Sequence, residues 1–379
     1  MAKIGERWKK LKTKSEKLKM VIEKFKKNKF KIVTAAIIFL AIIYIGRNDF
    51  FRTNTFEFRN SANIPQGGAN SKNDLNQKRE NKNLAENPLT GERCENGNQR
   101  VIAVMLSSDE EVRPLSGIAS ADMVFEMPVV DNGATRLMAV FGCILPEEIG
   151  SVRSARDDFI PLARGLDAIY SHWGGSHFAL DKLKTGIIDN IDALPNPFNA
   201  FYRKSGIPAP HNGFTSGEKL LNASEKLGYR MTNEFNGYPH LEAPNTKYQI
   251  LNTKLIIGYP GEFAVEYKYD NATNSYFRWR GDKKEIDKNN NEQASAKNIV
   301  VMYAQAKQIE GQYNDVKIIG QGKAEFYFNG GKIDGVWKKD SEAGKLYFLD
   351  NSGAEIKFTP GNIWVEIIQL ERKAEWVSE

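Results

Sequence analysis

The sequence contains few of the residues that most often carry chemistry. Only two of its 379 residues are cysteines and only four are histidines. It has no Gly-x-Ser-x-Gly nucleophile elbow, no phosphate-binding P-loop and no paired-cysteine motif, which excludes the most recognisable hydrolases, nucleotide-binding proteins and zinc modules. It also has no internal repeat of fixed period. No reaction class therefore follows from motifs alone.

The two cysteines are Cys94 and Cys143. In an oxidising, extracytoplasmic compartment they could form a disulfide. Two free cysteines are an open alternative, because the sequence does not give the distance between them. A lipoprotein carries its modified cysteine directly after the apolar segment near the N-terminus. Neither cysteine lies at that position.

The net charge of +6 is unevenly distributed. Residues 1–31 hold thirteen Lys or Arg against three Glu, a net charge of +10, so the rest of the chain carries −4. A mildly acidic folded part argues against nucleic acid as a partner. With 41% hydrophobic and 11% aromatic residues, the chain can build real cores and is not wholly disordered.

Long apolar runs are absent except at residues 32–45, which are fourteen residues without a charge. A helix needs about 20 residues to cross a bilayer, but the snorkelling side chains of Lys31 and Arg47 extend this one. We predict a transmembrane signal-anchor over residues 32–47, because no small-residue cleavage site follows. The positive-inside rule then places the basic arm, residues 1–31, in the cytoplasm and everything after the anchor outside the cell membrane. The predicted protein is thus a single-pass protein of the cell membrane.

Three regions follow the anchor. Residues 48–86 are rich in Asn, Gln, Lys, Gly and Ser, which predicts a flexible linker. Residues 87–236 alternate strand-like and helix-like patterns, which predicts an α/β or α+β domain. Residues 237–379 contain short aromatic and β-branched runs between turn signals, which predicts a smaller, mainly antiparallel β domain.

Local signals in the first domain place three helices and a hairpin. The helices are predicted at 154–165, at 176–184 with Ser176 as N-cap, and at 215–227 with a Thr-x-x-Glu capping box at its start. An Asn-Gly step within residues 131–133 predicts a β-hairpin.

The polar, glycine-rich stretch at residues 150–176 is typical of a functional site. Arg153 and Arg156 would share one face of the predicted helix and could hold a carboxylate or phosphate, or they could pair with neighbouring carboxylates. His172 ends a predicted strand, where it could act as acid, base or donor, or could lie partly buried against a carboxylate. Ser176 begins the next helix, whose first amides can hold an anion.

Further candidates accompany this stretch. His211 and Asn212 follow a proline-rich loop that presents both side chains, although they could equally cap the next helix. Asp167 is a candidate acid. His172 and His177 with Asp167 match no compact metal motif, so we predict no metal, and we expect no cofactor.

A series of sequence blocks occurs in the order found in one known family. The blocks are NPLTG from Asn87, RPLSGIASADMVFE from Arg113, GATR from Gly133, IGSVRSAR from Ile149, LDAIYSHWGGS from Leu166, APHNGFTS from Ala209, GQGKAEFYFNGGKIDGVWKK from Gly320 and GNIWVEII from Gly361. Through them the chain resembles the YerB family of membrane-attached bacterial envelope proteins.

The resemblance implies an uncharacterised N-terminal domain followed by a smaller C-terminal one, with no settled reaction. It singles out Glu126, Thr135 and Arg136 as further site candidates. Family members commonly attach to the membrane through a lipidated cysteine, whereas this chain is predicted to use residues 32–47.

Three functional hypotheses follow. The first is an extracytoplasmic protein that is attached to the membrane by its N-terminal helix and binds an anionic or glycan-like cell-wall ligand or an envelope protein. The second is a cell-wall hydrolase or transferase in which His172 works with Glu126 or Asp167. The third is a structural scaffold. The candidate ligand-binding residues of the first hypothesis are Arg136, Arg153, Arg156, Ser176, His211 and Asn212.

Overall fold

The structure is a computed structural model that describes residues 84–131, 133–242, 253–311 and 313–378. The basic arm, the signal-anchor and nearly all of the linker were predicted for residues 1–83, which lie outside the described residues. Within the described ranges, no helix is long and apolar enough to cross a membrane.

The described residues form three α-helices and many short strands. The helices are α1 (Phe159–Gly165), α2 (His177–Lys184) and α3 (Gly217–Lys226). The strands before residue 242 are β1 (Ala85–Glu86), β2 (Arg93–Cys94), β3 (Ile102–Ser107), β4 (Met123–Pro128), β5 (Thr135–Phe141), β6 (Ile149–Gly150), β7 (Ile169–His172), β8 (Asn190–Asp192), β9 (Tyr202–Arg203) and β10 (Gly213–Thr215). The later strands are β11 (Thr253–Ile257), β12 (Val265–Asp270), β13 (Ser275–Arg280), β14 (Lys283–Lys284), β15 (Ser295–Ala296), β16 (Asn298–Ala304), β17 (Ala306–Gln308), β18 (Asn314–Val316), β19 (Gly320–Phe328), β20 (Gly331–Lys339), β21 (Tyr347–Asp350), β22 (Ile363–Gln369) and β23 (Glu375–Ser378).

A ten-stranded sheet runs through the molecule in the order β21-β20-β19-β16-β22-β4-β5-β3-β7-β8. Its centre is the parallel pairing of β22 with β4, in which Glu366 lies opposite Glu126. The two predicted regions on either side of residue 236 therefore contribute strands to one sheet.

The ten-stranded sheet separates two apolar cores. Along β5, Met138 and Val140 face the first core, whereas Leu137 and Ala139 face the second, because successive strand residues point to opposite faces. Helices α1 and α2 cover the first face. Helix α3 and a six-stranded sheet, β14-β13-β12-β11-β23 with β15 beside β13, cover the second.

The described chain is β-rich with few helices, and its part after residue 253 contains no α-helix. Most strand pairs in that part are antiparallel, and β16 with β22 is a parallel exception. The β-rich C-terminal region is thus confirmed. The N-terminal region is less helical than its sequence pattern predicted.

Two local predictions hold and one shifts. Strands β4 and β5 form the predicted antiparallel hairpin. Helix α2 begins as predicted, with the Ser176 hydroxyl accepting a 3.2 Å hydrogen bond from the amide of Ala179. Helix α3 begins at Gly217 with Ser216 as its N-cap, because Thr215 belongs to β10.

The predicted helix at residues 154–165 begins later, at Phe159. The residues before it are extended, and Ala155 forms a parallel bridge to the turn after β7. The prediction that Arg153 and Arg156 share a helix face was therefore wrong, because both precede the helix and the backbone of Arg153 bonds to Met105 and Trp173 instead.

Cys94 and Cys143 form a disulfide with a Cα–Cα distance of 5.7 Å. Beside it, the carboxylate of Asp122 accepts hydrogen bonds from the amides of Gly142 and Cys143. Burial nevertheless raises the pKa of Asp122 to about 6. The pairing that the sequence left open thus links β2 to the end of β5.

Candidate functional site

The candidate site lies where β3 and β7 end and β5 begins. Strands β3 and β7 are parallel, so their carboxyl ends meet at one edge of the sheet. The segment 151–156 crosses this edge. The amide of Arg153 donates to the carbonyl of Met105 over 2.8 Å, and the amide of Trp173 donates to the carbonyl of Arg153 over 3.0 Å. In sheets with parallel strands, ligands commonly bind outside this edge.

Three arginines, Arg136, Arg153 and Arg156, lie together here and are called the arginine cluster. Arg136, on β5, is only 7% exposed. Its pKa is lowered to about 9, mainly by burial and also by the charges of Arg153 and Arg156, against the opposing effect of Asp109. Burial also lowers the pKa of Arg156. The structure therefore brings together, by strand pairing, the three arginines named from sequence and family resemblance.

One carboxylate, that of Asp109, faces the arginine cluster. Its Oδ2 accepts 2.6 Å hydrogen bonds from the Ser107 hydroxyl and from Arg153 Nη2, and lies 3.8 Å from Arg136 Nη1. Burial acts to raise the pKa of Asp109, but Ser107 and the two arginines outweigh it and lower the pKa. Asp109 is thus an ionised internal counter-ion.

Several buried donors of the arginine cluster lack a hydrogen-bond acceptor among the described residues. Nε and Nη1 of Arg136, Nε of Arg153 and Nε of Arg156 are buried and form no hydrogen bond with any described residue. The hydroxyl of Tyr170 is fully buried beside the backbone of Arg156. Buried donors of this kind are uncommon in folded proteins because each costs about 1–3 kcal/mol, so they indicate a place for an anion.

A hairpin from the C-terminal region forms the other wall of the site. It consists of β17 and β18, and the guanidinium of Arg156 lies 5.5 Å from the ring centre of Tyr313. The exposed ring of His177 packs edge-on against Tyr313 with centroids 5.8 Å apart. Asn314 donates to the carbonyl of Pro128 over 3.4 Å. Aromatic rings thus border the buried arginines.

Three other predicted ligand residues have mainly local roles. Ser176 caps α2 and is 1% exposed. Asn212 accepts a 2.5 Å hydrogen bond from Arg203. Its loop approaches the site, because Val152 donates to the carbonyl of Gly213. Nδ1 of the neighbouring His211 is buried and forms no hydrogen bond with any described residue.

His172 is completely buried at the end of β7. Its Nδ1 lies 2.8 Å from the carbonyl of Gly174, and its Nε2 lies 3.3 Å from Asn190 Oδ1. Burial lowers its pKa, although Asp192, 3.7 Å away, acts in the opposite direction. His172 is therefore a neutral, hydrogen-bonded side chain at neutral pH.

The acids predicted to work with His172 lie elsewhere. Asp167 precedes β7, at the opposite end of that strand, and forms ion pairs with Arg100 at 3.5 Å and Arg230 at 2.5 Å. Glu126 lies on β4 and points to the other face of the sheet. Neither acid forms a hydrogen bond or ion pair with His172, so the structure does not assemble the predicted acid–base pair.

Glu126 belongs to a buried ion network between the two large sheets. Arg280 binds its carboxylate through two 2.7 Å hydrogen bonds, and Arg278 and Thr135 also donate to it. Glu285 and Glu366 complete this network, which is called the inter-sheet network. Burial opposes ionisation of Glu126, but the two arginines lower its pKa to about 2.

Comparisons with known proteins identify the family of this chain. Residues 89–230 match the N-terminal domain, and residues 255–365 the C-terminal domain, of the family described as protein of unknown function DUF3048. The chain belongs to this family. YerB of Bacillus subtilis (strain 168), named as a candidate lipoprotein, is 29% identical over 292 residues, which are 74% of this chain and 85% of YerB. The match between this chain and the crystal structure of YerB has a TM-score of 0.69 at 27% identity. It covers 77% of this chain and 99% of the YerB chain.

The family match confirms the resemblance to YerB proteins, and both domains contribute to the site. The arginine cluster lies within the match to the N-terminal domain, whereas Tyr313 lies within the match to the C-terminal domain. The sequence analysis missed Tyr313, because no local pattern links it to residues 150–176. It also missed Asp109, although a polar run directly after an apolar strand was a usable signal. No group of three or more metal-ligating side chains occurs in the described part of the chain.

Proposed function

We propose that this protein is an extracytoplasmic, membrane-attached binding protein whose arginine cluster holds an anionic group of a cell-wall glycan. The observation that carries the proposal is the set of buried guanidinium donors that no described residue satisfies. Three guanidiniums face one ionised carboxylate, so the site has an excess of positive charge. An anion would supply both the missing acceptors and the missing charge.

The surroundings of the arginine cluster support a glycan as the carrier of the anion. The rings of Tyr313 and His177 border the arginines, and His177 is half exposed. Aromatic rings present an apolar face with a polar edge, which suits contact with the ring of a sugar. The lipoprotein name of YerB and the predicted anchor at residues 32–47 support a place outside the membrane.

The test is co-sedimentation of the full chain with isolated bacterial cell walls over a range of salt concentrations. The basic arm itself attracts anionic polymers, so the informative comparison is between variants that share the arm. We expect Arg153→Ala/Arg156→Ala to bind at least about tenfold more weakly than wild type, because charge-assisted hydrogen bonds contribute about 1.5–3 kcal/mol each.

Arg164→Gln is the matched control. Arg164 lies on α1 and pairs with Glu342 at 3.3 Å, outside the arginine cluster. This variant removes one positive charge and is expected to bind like wild type. Equal binding by the double variant and wild type would contradict the proposal. Release of soluble sugars from the walls, abolished by His172→Ala, would favour the hydrolase alternative instead.

A further inference from the structure

The charges around the arginine cluster limit the kind of anion that fits. The cluster supplies three positive charges, and Asp109 supplies one negative charge. Asp158 is nearby, but burial and Asp157 raise its pKa to about 8, so it is mostly protonated at neutral pH. Asp157, whose own pKa is raised by burial, lies near Lys182 and Arg156. Lys182 and Arg164 share one carboxylate, that of Glu342, so the positive charge that remains on this pair offsets the charge of Asp157. The site therefore has a net excess of about two positive charges.

The number of donors points in the same direction. Each arginine of the cluster has at least one buried N–H without a described partner: Nε and Nη1 of Arg136, Nε of Arg153 and Nε of Arg156. A carboxylate offers two oxygens, whereas a phosphate monoester offers three terminal oxygens and up to two negative charges. Three guanidiniums and three oxygens allow one charge-assisted contact for each arginine.

We propose that the arginine cluster binds the dianionic phosphate monoester of its ligand, with Asp109 as the fixed counter-ion that sets the charge of the site. The inference rests on the proposed function and names the chemical class of the bound group. A carboxylate sugar would leave one positive charge unmatched and would place two of the three guanidiniums on one oxygen. A phosphate monoester balances the charge and matches the arginines.

The test is calorimetric titration of the full chain with glycerol 3-phosphate and with glucuronate at constant ionic strength and neutral pH. We expect wild type to bind glycerol 3-phosphate at least about tenfold more tightly than glucuronate, because the phosphate carries one more negative charge and one more oxygen for the arginines. The variant Arg153→Ala/Arg156→Ala should lose measurable binding of both probes. Arg164→Gln should bind both like wild type.

Asp109→Asn provides a test that misfolding cannot imitate, because it predicts a gain. Asparagine keeps an oxygen for Arg153 but removes the counter-charge. Since Coulomb energy scales with ligand charge, affinity should rise about tenfold for glycerol 3-phosphate and about threefold for glucuronate. Equal gains for the two probes, or weaker phosphate binding, would overturn the inference.

The outcomes separate this inference from the proposed function. If glucuronate binds as tightly as glycerol 3-phosphate, the cluster is an anion site without phosphate selectivity and only the inference fails. If neither probe binds wild type, both fail. Vesicles of phosphatidylcholine with phosphatidic acid identify the source of the phosphate. Greater vesicle binding by wild type than by Arg153→Ala/Arg156→Ala assigns it to a lipid headgroup, and equal binding assigns it to a glycan or soluble ester.

Discussion

The molecule buries two groups of arginines, and they differ in how their charges are balanced. In the inter-sheet network, Arg278 and Arg280 are held by Glu126 and Glu285, and all four side chains are at most 5% exposed. In the arginine cluster, Arg136 and Arg153 face Asp109, and Asp157 is the acid near Arg156. Four buried N–H groups of the cluster form no hydrogen bond with a described residue.

The comparison separates a structural role from a binding role. A balanced network can be closed within the protein, and this one ties β4 and β22 of the ten-stranded sheet to β13 of the six-stranded sheet. The arginine cluster has more guanidiniums than carboxylates among the described residues, which supports the binding role that we propose for it. Burial of an arginine thus does not by itself distinguish these roles, whereas the count of partners does.

The largest expected effect is on stability in the inter-sheet network. Glu126→Gln should lower the free energy of unfolding by about 3–5 kcal/mol, because it leaves Arg278 and Arg280 buried with too little negative charge. Urea denaturation measures the change. Glu110→Gln, which removes an exposed carboxylate paired with Lys283, is the control and should leave stability almost unchanged. A loss below about 1 kcal/mol for Glu126→Gln would contradict the comparison.

The same network predicts the acid sensitivity of the fold. The pKa of Glu126 is lowered from 4.5 to about 2, so its stabilisation is present above pH 4.5 and is lost as the pH falls towards 2. The loss amounts to about 3 kcal/mol at 1.36 kcal/mol per pKa unit. Denaturation of wild type and Glu126→Gln at a series of pH values should show a shallower decline for the variant. The same decline of stability with pH in both proteins would contradict the role of Glu126 in acid sensitivity.

In the arginine cluster, removing one positive charge should change the free energy of unfolding only slightly. Arg136→Met keeps the apolar stem but relieves repulsion from Arg153 and Arg156, so the free energy of unfolding should stay within about 1 kcal/mol of wild type or increase. Low ionic strength should favour the variant further, because repulsion is screened less. A loss of about 3 kcal/mol or more would instead support the scaffold hypothesis.

The smallest expected effect concerns the wall contributed by the C-terminal region. Tyr313→Leu removes the ring beside Arg156, and cation–π contacts contribute about 0.5–1 kcal/mol. Affinity for glycerol 3-phosphate should fall about two- to fivefold in calorimetric titration. Tyr347→Leu removes a similar ring beside Lys345 and is the control that should bind normally. Identical behaviour of both variants would exclude Tyr313 from the site.

Local sequence signals predicted the features that depend on neighbouring residues. The Ser176 cap, the β4–β5 hairpin and the polar character of residues 150–176 are of this kind. The spatial grouping of Arg136 with Arg153 and Arg156 depends on strand pairing, which the predicted helix at residues 154–165 did not include.

Local sequence patterns did not predict the contacts between residues that are far apart in the sequence. Glu126 was named as a catalytic acid, but its partner Arg278 lies 152 residues away on another sheet. No periodicity in β4 reveals that β22 pairs beside it. Tyr313 reaches Arg156 for the same reason, because a hairpin of the C-terminal region folds back over the N-terminal one.

The most direct test of the unbalanced arginine cluster is thermal unfolding of the full chain as inorganic phosphate replaces chloride at constant ionic strength. A ligand that binds only the folded state raises the unfolding midpoint with its concentration. The midpoint of wild type should rise steadily with phosphate, whereas that of Arg153→Ala/Arg156→Ala should not move. An equal rise in both proteins, or no rise in wild type, would contradict the account.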